Sequence, residues 1–268
     1  MSQLSRTIRA IPTLLRIGVA ETVAYRAEFL VWLLVTTLPL VMLALWTSVA
    51  SEGPFRGYSS DAFVAYYLSG LIVRNVTGSW VGWQISEEIR LGTMAMRLLR
   101  PLHPYIAFAA IHIAAIPFRV VVALPVAAIL LLSSGASSLT SEPAQLALIA
   151  PSLVLGWMIN FNLVFILGTV SFWATKTMAL MNVYYAMFSL FSGYLLPIPL
   201  LPPIIGDVAS VLPFRFGFST PVELMTKHLS GEQLAIAVGG QVGWAVVTLL
   251  LALAVWRAGV RRFEAVGN

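Results

Sequence analysis

The sequence predicts an all-α integral membrane protein with six transmembrane helices, and three observations lead to this fold class. Hydrophobic residues make up 59% of the 268 residues and charged residues only 10%, whereas about a quarter of a soluble domain is charged. Several apolar stretches reach about 20 residues, the length that crosses a bilayer as a helix. Basic residues are concentrated in alternate loops, as expected for a multi-pass membrane protein.

Residues 1–27 are predicted to form an amphipathic helix that lies in the membrane interface. Apolar residues recur at helical spacing from Leu4 to Val19, with basic residues such as Arg16 on the other side. Pro12 either kinks this segment or begins its second part. The charges interrupt the apolar core that a signal peptide would need, so a cleaved leader is not expected.

Six apolar runs follow, and each is predicted to be a membrane span. They cover residues 29–50, 62–83, 105–132, 145–173, 177–196 and 234–256. Two pairs of glycines four residues apart, Gly78 with Gly82 and Gly239 with Gly243, predict faces on which helices approach closely. Prolines, among them Pro117, interrupt the third span, which neighbouring helices can tolerate.

Residues 197–232, here called the proline-rich segment, are predicted to form short re-entrant helices between the fifth and sixth spans. The segment contains six prolines yet is strongly apolar, which does not fit a solvated loop. The stretch from Thr220 to Glu223 matches a capping box with Pro221 at the first helical position. Gly231 is predicted to end that helix.

The distribution of Lys and Arg predicts the orientation. The N-terminal segment, the loop after the second span, the turn at Lys176 and the C-terminal tail hold eleven basic residues, whereas the opposite loops hold three. Cytoplasmic loops are enriched in Lys and Arg, so both termini are predicted to be cytoplasmic. This asymmetry explains the net charge of +5 without a nucleic-acid partner.

Residues 84–104 are predicted to form a stiff, charged elbow between the second and third spans. Gly92 is expected to end one helix, Thr93 to cap a second, and Pro101 to stop it before the next apolar run. One helical face is predicted to carry Ile85, Ile89, Gly92, Met96 and Leu99. The functional candidates in the elbow are Glu87, Glu88, Arg90, Gly92, Thr93, Met96, Arg97, Arg100 and Pro101. From the pattern alone, an ordinary cytoplasmic loop fits equally well.

Two arginines lie inside predicted spans, Arg74 in the second and Arg119 in the third. An ionised side chain there costs about 3 kcal/mol or more unless it reaches water, a partner or a lipid head group. The helical rise, counted from the cytoplasmic end of each span, places the two arginines at a similar depth in the membrane. Two interpretations stay open: a hydrated path or site for an anionic or polar group, together with Asn75, Asn160 and Asn182, or simple snorkelling and pairing with neighbouring groups.

The sequence lacks the motifs of several chemistries. No glycine loop of the form GxxxxGKS or GxxxxGKT is present, so this chain is not expected to bind or hydrolyse ATP. There is no cysteine, and the three histidines have no second ligand at zinc spacing. His112 is predicted to be a packed residue. No catalytic and no metal-binding residue is therefore proposed, although His112 and the scattered serines leave an intramembrane protease open.

Short motifs along the chain resemble, in this order, those of the type-2 permease subunits of bacterial ATP-binding-cassette exporters. The motifs are AYRAEF at 24–29, IRLGT at 89–93, LRPLHP at 99–104, SGYLLP at 192–197, LPF at 212–214 with Pro221, WR at 256–257 and RRFEAVG at 261–267. Each is short, but their order between six spans of matching orientation extends the resemblance over nearly the whole chain.

The resemblance implies a single transmembrane permease domain over residues 1–268, in the bacterial cytoplasmic (inner) membrane. It implies a dimer with a second permease subunit, identical or homologous, and two cytoplasmic ATPase subunits that bind ATP and Mg, with no cofactor in this chain. It also implies that the loop after the second span docks on the ATPase, which places coupling between Glu87 and Arg100. The family exports drugs, lipids and glycans, and nothing in the sequence selects one.

Two other classes of function stay open from the residues alone. One is an intramembrane enzyme, such as a protease or a lipid-modifying enzyme. The other is a membrane scaffold that transports nothing. An ATPase that copurifies with this chain would favour transport, whereas activity of the isolated chain on a peptide or lipid would favour an enzyme.

Overall fold

The computed structural model describes residues 12–20, 38–174 and 177–263. Within these ranges the regular structure is helical and contains no strand, which confirms the all-α class. Most of the predicted interfacial helix and the first nine residues of the first span lie outside the described residues. Residues 12–20 are helical.

The helices are numbered in chain order. They are α1 (12–20), α2 (Leu38–Val49), α3 (Ser60–Thr77), α4 (Val81–Arg90), α5 (Met94–Leu98), α6 (Pro104–Ala114), α7 (Ile116–Leu132), α8 (Pro143–Thr169), α9 (Thr177–Phe191), α10 (Pro203–Val211), α11 (Pro213–Gly217), α12 (Ser219–Thr226) and α13 (Gly231–Val260). Short 3-10 turns occupy Ser134–Ser138, Val170–Phe172 and Ile198–Leu200.

Among the described residues, three stretches are long and apolar enough to cross a membrane: Pro104–Leu132 with 29 residues, Pro143–Phe172 with 30 and Gly231–Val260 with 30. The chain is therefore a membrane protein. Helices α2 and α9 are also apolar but shorter, with 12 and 15 residues. The count of six spans stays a prediction, because the second is broken and part of the first is not described.

Helix α8 lies at the centre of the fold. It contacts α3, α4, α11, α12 and α13, and 56% of its most apolar stretch is buried, compared with 22% in α6–α7 and in α13. Aromatic rings fill the space around it, with Phe161 and Phe165 fully buried and Trp256 of α13 packed 5.3 Å from the Phe165 ring. The central helix is thus held by close packing on several sides.

Helices α4 and α8 cross at a pair of glycines. A Cβ added to Gly168 would lie 2.7 Å from the Cα and 2.8 Å from the carbonyl oxygen of Gly82, closer than real contacts allow. The predicted packing role is confirmed for Gly82. For Gly239 and Gly243 the packing role stays a prediction, because an added Cβ at either position would meet nothing within 4 Å among the described residues.

The second predicted span is broken at residues 78–80. Helix α3 ends at Thr77, Gly78 is extended with ψ of 149°, and α4 begins at Val81. Gly78 is therefore a break between two helices and not a packing glycine. The third span also divides, at Ala115, two residues before Pro117, which sits in the first turn of α7, where a missing N–H costs nothing.

The proline-rich segment forms short helices, as the sequence predicted; their re-entry into the membrane stays a prediction. The predicted capping box is wrong. Helix α12 begins at Ser219, so Thr220 lies inside it, and the Glu223 carboxylate instead pairs with Lys227 at 3.0 Å and Arg215 at 3.4 Å. These ion pairs outcompete a backbone cap because a nearly buried carboxylate needs charged partners.

The capping box occurs one helix later. The Ser230 side chain accepts from the N–H of Gln233, and the Gln233 side chain accepts from the N–H of Ser230. Gly231 is the first residue of α13, so the prediction that it ends α12 is wrong. The last span accordingly starts three residues earlier than the sequence predicted.

Candidate functional site

The elbow of residues 84–104 consists of the end of α4, a turn, the short helix α5 and the start of α6. Gly92 adopts φ of 74°, a left-handed conformation that glycine reaches without strain, which confirms that it ends α4. Thr93 does not cap α5: its hydroxyl donates to the carbonyl of Glu88 at 3.4 Å. That part of the prediction is wrong.

An ion pair joins the two helices of the elbow. Arg97 Nε donates to Glu88 Oε2 at 2.7 Å, and Arg97 Nη2 pairs with Glu88 Oε1. The guanidinium lies 4.1 Å from the centre of the Phe108 ring on α6. The two side chains are only 17% and 22% exposed, so Arg97 holds the elbow against the third span and is not free for a partner. We call Glu88, Arg97 and Phe108 the elbow clamp.

The exposed part of the elbow is apolar. Leu91, Met96 and Leu99 are 62%, 66% and 80% exposed, and we call them the elbow tip. The single helical face predicted from Ile85 to Leu99 is wrong, because Ile85 is buried while Met96 and Leu99 are exposed. The turn at Gly92 changes the direction of the chain, and helical spacing cannot continue through it.

Charges surround the elbow tip. Glu87 and Arg90 form an exposed pair at 3.5 Å, and Arg100 and Pro101 are exposed. Such a pair contributes about 0 to 1 kcal/mol to stability, so these side chains remain available for other contacts. Next to them, burial and the neighbouring Arg257 lower the pKa of His103, which keeps that imidazole neutral at pH 7.

Arg119 of α7 fills the break in the second span. Its Nη1 donates to the carbonyl of Gly78, its guanidinium lies 4.5 Å from the centre of the Trp80 ring, and the residue is 3% exposed. Its Nη2 is buried without a hydrogen-bond partner among the described residues. Arg119 thus satisfies an exposed backbone group at the break.

His112 belongs to the same polar region. Its Nε2 lies 3.0 Å from Gln84 Oε1, and its Nδ1 lies 3.5 Å from Ser79 Oγ. The ring is 4.6 Å from that of Trp80. Nε2 must donate to the Gln84 oxygen, which leaves Nδ1 to accept from Ser79. His112 is a packed residue with both nitrogens partnered, as the sequence predicted.

Arg74 lies on the other side of the break, near the end of α3. Its guanidinium is surrounded by three rings, with centres at 4.8 Å for Phe188, 5.9 Å for Tyr194 and 6.0 Å for Tyr185. Arg74 is partly exposed. Its carbonyl accepts from the N–H of Gly78 at 3.1 Å, so both arginines are bonded to the backbone of Gly78. The structure therefore brings the two predicted arginines together.

The three asparagines predicted with them have other surroundings. Asn75 Nδ2 donates to Leu71 of its own helix at 3.0 Å. Asn160 Nδ2 donates to the carbonyl of Gly217 at 3.1 Å, tying α8 to α11, and Asn182 is exposed on α9. Within the described ranges, no hydrogen bond joins any of them to either arginine.

Comparison with known protein families gives a match that covers almost all of the elements described above. The family described as ABC-2 family transporter protein matches residues 31–267, which include the elbow, the broken second span and the proline-rich segment. The chain belongs to the ABC-2 transporter family. None of the curated proteins compared matches it.

This ABC-2 family protein is a transport permease, the membrane part of a transporter and not itself the catalyst. Of the three classes of function that the residues left open, transport is the one that the family supports. The resemblance drawn from the short motifs is thereby confirmed. In the ABC-2 protein as described, no group of three His, Asp or Glu residues could hold a metal ion.

Sequence reasoning missed two features of this ABC-2 protein. The first is the elbow clamp, whose ionic partners are nine residues apart and so match no helical spacing. The second is the network of Ser79, Gln84 and His112 at the helix break. The signal that could have revealed this network is Gly78 followed by the polar Ser79 in the middle of an apolar run.

Proposed function

We propose that this chain is the transmembrane subunit of an ATP-binding-cassette exporter. It forms the substrate path together with a second permease subunit, identical or homologous, and separate cytoplasmic ATPase subunits drive it. ATP and Mg are bound by those subunits, and this chain holds no cofactor. The observation that carries the proposal is the geometry of the elbow, an exposed apolar tip fixed rigidly to the spans.

A docking element must offer apolar surface to its partner and transmit force without bending. The elbow tip supplies the first requirement, because exposed apolar side chains that become buried dominate binding energy. The elbow clamp supplies the second, since it ties α4, α5 and α6 together. The exposed charges of Glu87, Arg90 and Arg100 then fix orientation more than affinity.

We propose the same role for the whole chain, in which residues 1–268 form one permease domain of six spans in the bacterial inner membrane. Residues 1–27 lie in the membrane interface, the elbow and both termini are cytoplasmic, and the proline-rich segment re-enters the outer leaflet. The eleven-to-three bias of basic residues supports this orientation.

Topology is tested with single cysteines, since the native chain has none. Ser137→Cys, in the loop between α7 and α8, is expected to react with a membrane-impermeant maleimide in intact cells. Arg261→Cys, in the C-terminal tail, is expected to react only after permeabilisation, because the positive-inside rule places it in the cytoplasm. The reverse pattern would invalidate the orientation.

The transport mechanism is tested by ATP turnover. The purified permease alone is expected to hydrolyse no ATP, because it lacks a phosphate-binding loop. Coexpression with the ATPase encoded nearest to its gene is expected to give a complex that copurifies and hydrolyses ATP in proteoliposomes. Hydrolysis by the permease free of other proteins, or no association with any such ATPase, would refute the proposal.

A further inference from the structure

The rings around Arg74 leave one side of its guanidinium open. Phe188 is 2% exposed and forms the closed side, whereas Arg74 and Tyr185 are partly exposed. Within the described part of the chain, neither the Tyr185 nor the Tyr194 hydroxyl has a hydrogen-bond partner. The rings of Tyr185 and Tyr194 therefore lie with their centres about 6 Å from a partly exposed guanidinium. We call Arg74, Tyr185, Phe188 and Tyr194 the arginine bay.

The bay carries uncompensated positive charge. No Asp or Glu of the described residues lies within ion-pair distance of Arg74 or Arg119, since the acidic residues that form pairs do so elsewhere. Burying unpaired charges in a membrane is costly, and these two also repel each other. The rings around Arg74 offset part of that cost, but they do not neutralise its positive charge.

We propose that the arginine bay binds the anionic head group, a phosphate or carboxylate, of an amphiphilic molecule in the membrane. Arg74 donates to the anionic oxygens, the Tyr185 and Tyr194 hydroxyls donate beside it, and Arg119 adds positive potential from behind. This inference rests on the proposed transport function, because it makes the bay the place where the path recognises its substrate.

The chemistry of the bay selects an amphiphile and not a small soluble anion. A guanidinium fork and two hydroxyls match the oxygens of phosphate or carboxylate. The rest of the lining is aromatic, and aromatic rings suit the apolar part next to a polar head.

Binding is measured on the purified full-length permease in phosphatidylcholine nanodiscs, without any ATPase. The probe is phosphatidylglycerol labelled with dansyl on an acyl chain, followed by energy transfer from tryptophan. Arg74→Gln is expected to weaken binding about 10- to 100-fold, the loss expected for hydrogen bonds to a charged group. Tyr185→Phe is expected to weaken it about 3- to 10-fold, because it removes one neutral donor.

The matched control is Arg261→Gln, which removes one positive charge from the exposed C-terminal tail and is expected to leave binding unchanged. Arg74→Lys keeps the charge and separates a loss of fork geometry from a loss of folding. Thermal unfolding of each variant checks the fold. Equal binding by wild type and a folded Arg74→Gln protein would overturn the inference.

Competition identifies the class of ligand. Unlabelled phosphatidylglycerol and oleate are expected to displace the probe, whereas further phosphatidylcholine and inorganic phosphate are not. If inorganic phosphate displaced the probe as effectively as phosphatidylglycerol, the inference that the ligand is an amphiphile would be overturned. Tighter binding in Glu21→Gln or Glu28→Gln would show that an acidic residue of the chain already fills the bay, and would also overturn it.

Failure of this inference can be distinguished from failure of the proposed function. The binding assay contains no ATP and no ATPase, so its failure leaves the transport proposal standing. Conversely, loss of association with an ATPase in the turnover assay leaves the measured affinities unaffected.

Discussion

Gly168→Ala is expected to loosen the contact between α4 and α8 and to destabilise the whole protein. The added Cβ would lie 2.7 Å and 2.8 Å from backbone atoms of Gly82 and 3.0 Å from the Cβ of Ile85. Backbone atoms cannot rotate away as a flexible side chain can, so the helices must separate. Overpacking of this kind costs about 1 to 3 kcal/mol.

The matched control for this substitution is Gly239→Ala. Gly239 also lies in a long apolar helix, but no atom of the residues that the structure describes lies within 4 Å of its added Cβ. The methyl group removes a helix penalty of up to about 1 kcal/mol, so stability is expected to stay the same or rise slightly. Thermal unfolding in detergent, followed by the fraction that remains monodisperse, measures both variants. A Gly168→Ala protein as stable as the control would contradict the close crossing.

Replacing Leu91, Met96 and Leu99 together by alanine is expected to release the ATPase or to abolish substrate-stimulated ATP turnover. The three side chains form the elbow tip, and a hot spot truncated at such a contact costs about 2 kcal/mol or more. That is roughly a 30-fold loss of affinity for one residue. The fold is expected to stay intact, because all three side chains are mostly exposed.

Exposed apolar residues at the other end of the fold provide the control. Ile129, Leu131 and Leu132 near the end of α7 are 58%, 65% and 89% exposed, and the triple alanine variant there is expected to retain full coupling. Copurification and ATP turnover in proteoliposomes are measured for both triple variants. Normal coupling without the elbow tip would place the docking site elsewhere, with the basic N-terminal segment as the next candidate.

The elbow clamp is expected to affect coupling differently from the elbow tip. Reversing one charge, in Glu88→Arg or in Arg97→Glu, places like charges within a partly buried pair and is expected to reduce turnover while the ATPase stays bound. The double reversal restores opposite charges and is expected to recover turnover in part. Loss of ATPase binding in the single variants would show that these charges dock directly.

Local signals in the sequence were sufficient for some features of the elbow. Gly92 ends α4 because a left-handed residue is needed there, and glycine is the residue that permits it. The position of the elbow between two apolar runs followed from the pattern of apolar and charged residues along the sequence. By contrast, the Glu88–Arg97 pair depends on the turn angle between α4 and α5, which helical spacing does not encode.

Other features depended on tertiary contacts that a single sequence does not reveal. Thr220 to Glu223 and Ser230 to Gln233 both resemble capping boxes, but Arg215 and Lys227 engage Glu223, so only the second one forms. The break at Gly78 contains no proline. It is stabilised by Arg119, a side chain from another helix 41 residues away, and the sequence could place that arginine but not its acceptor.

The extended backbone at Gly78 divides the second span into two separate helices, α3 and α4. Helix α3 is anchored to the turn after α9, where the Tyr66 and Tyr67 hydroxyls donate to the carbonyls of Gly193 and Leu195 at 2.7 Å and 2.9 Å. Helix α4 is continuous with the elbow and meets α8 at the crossing of Gly82 and Gly168. A rotation imposed on the elbow is therefore expected to move α4 and α8 together, whereas the hydrogen bonds of Tyr66 and Tyr67 hold α3 in place.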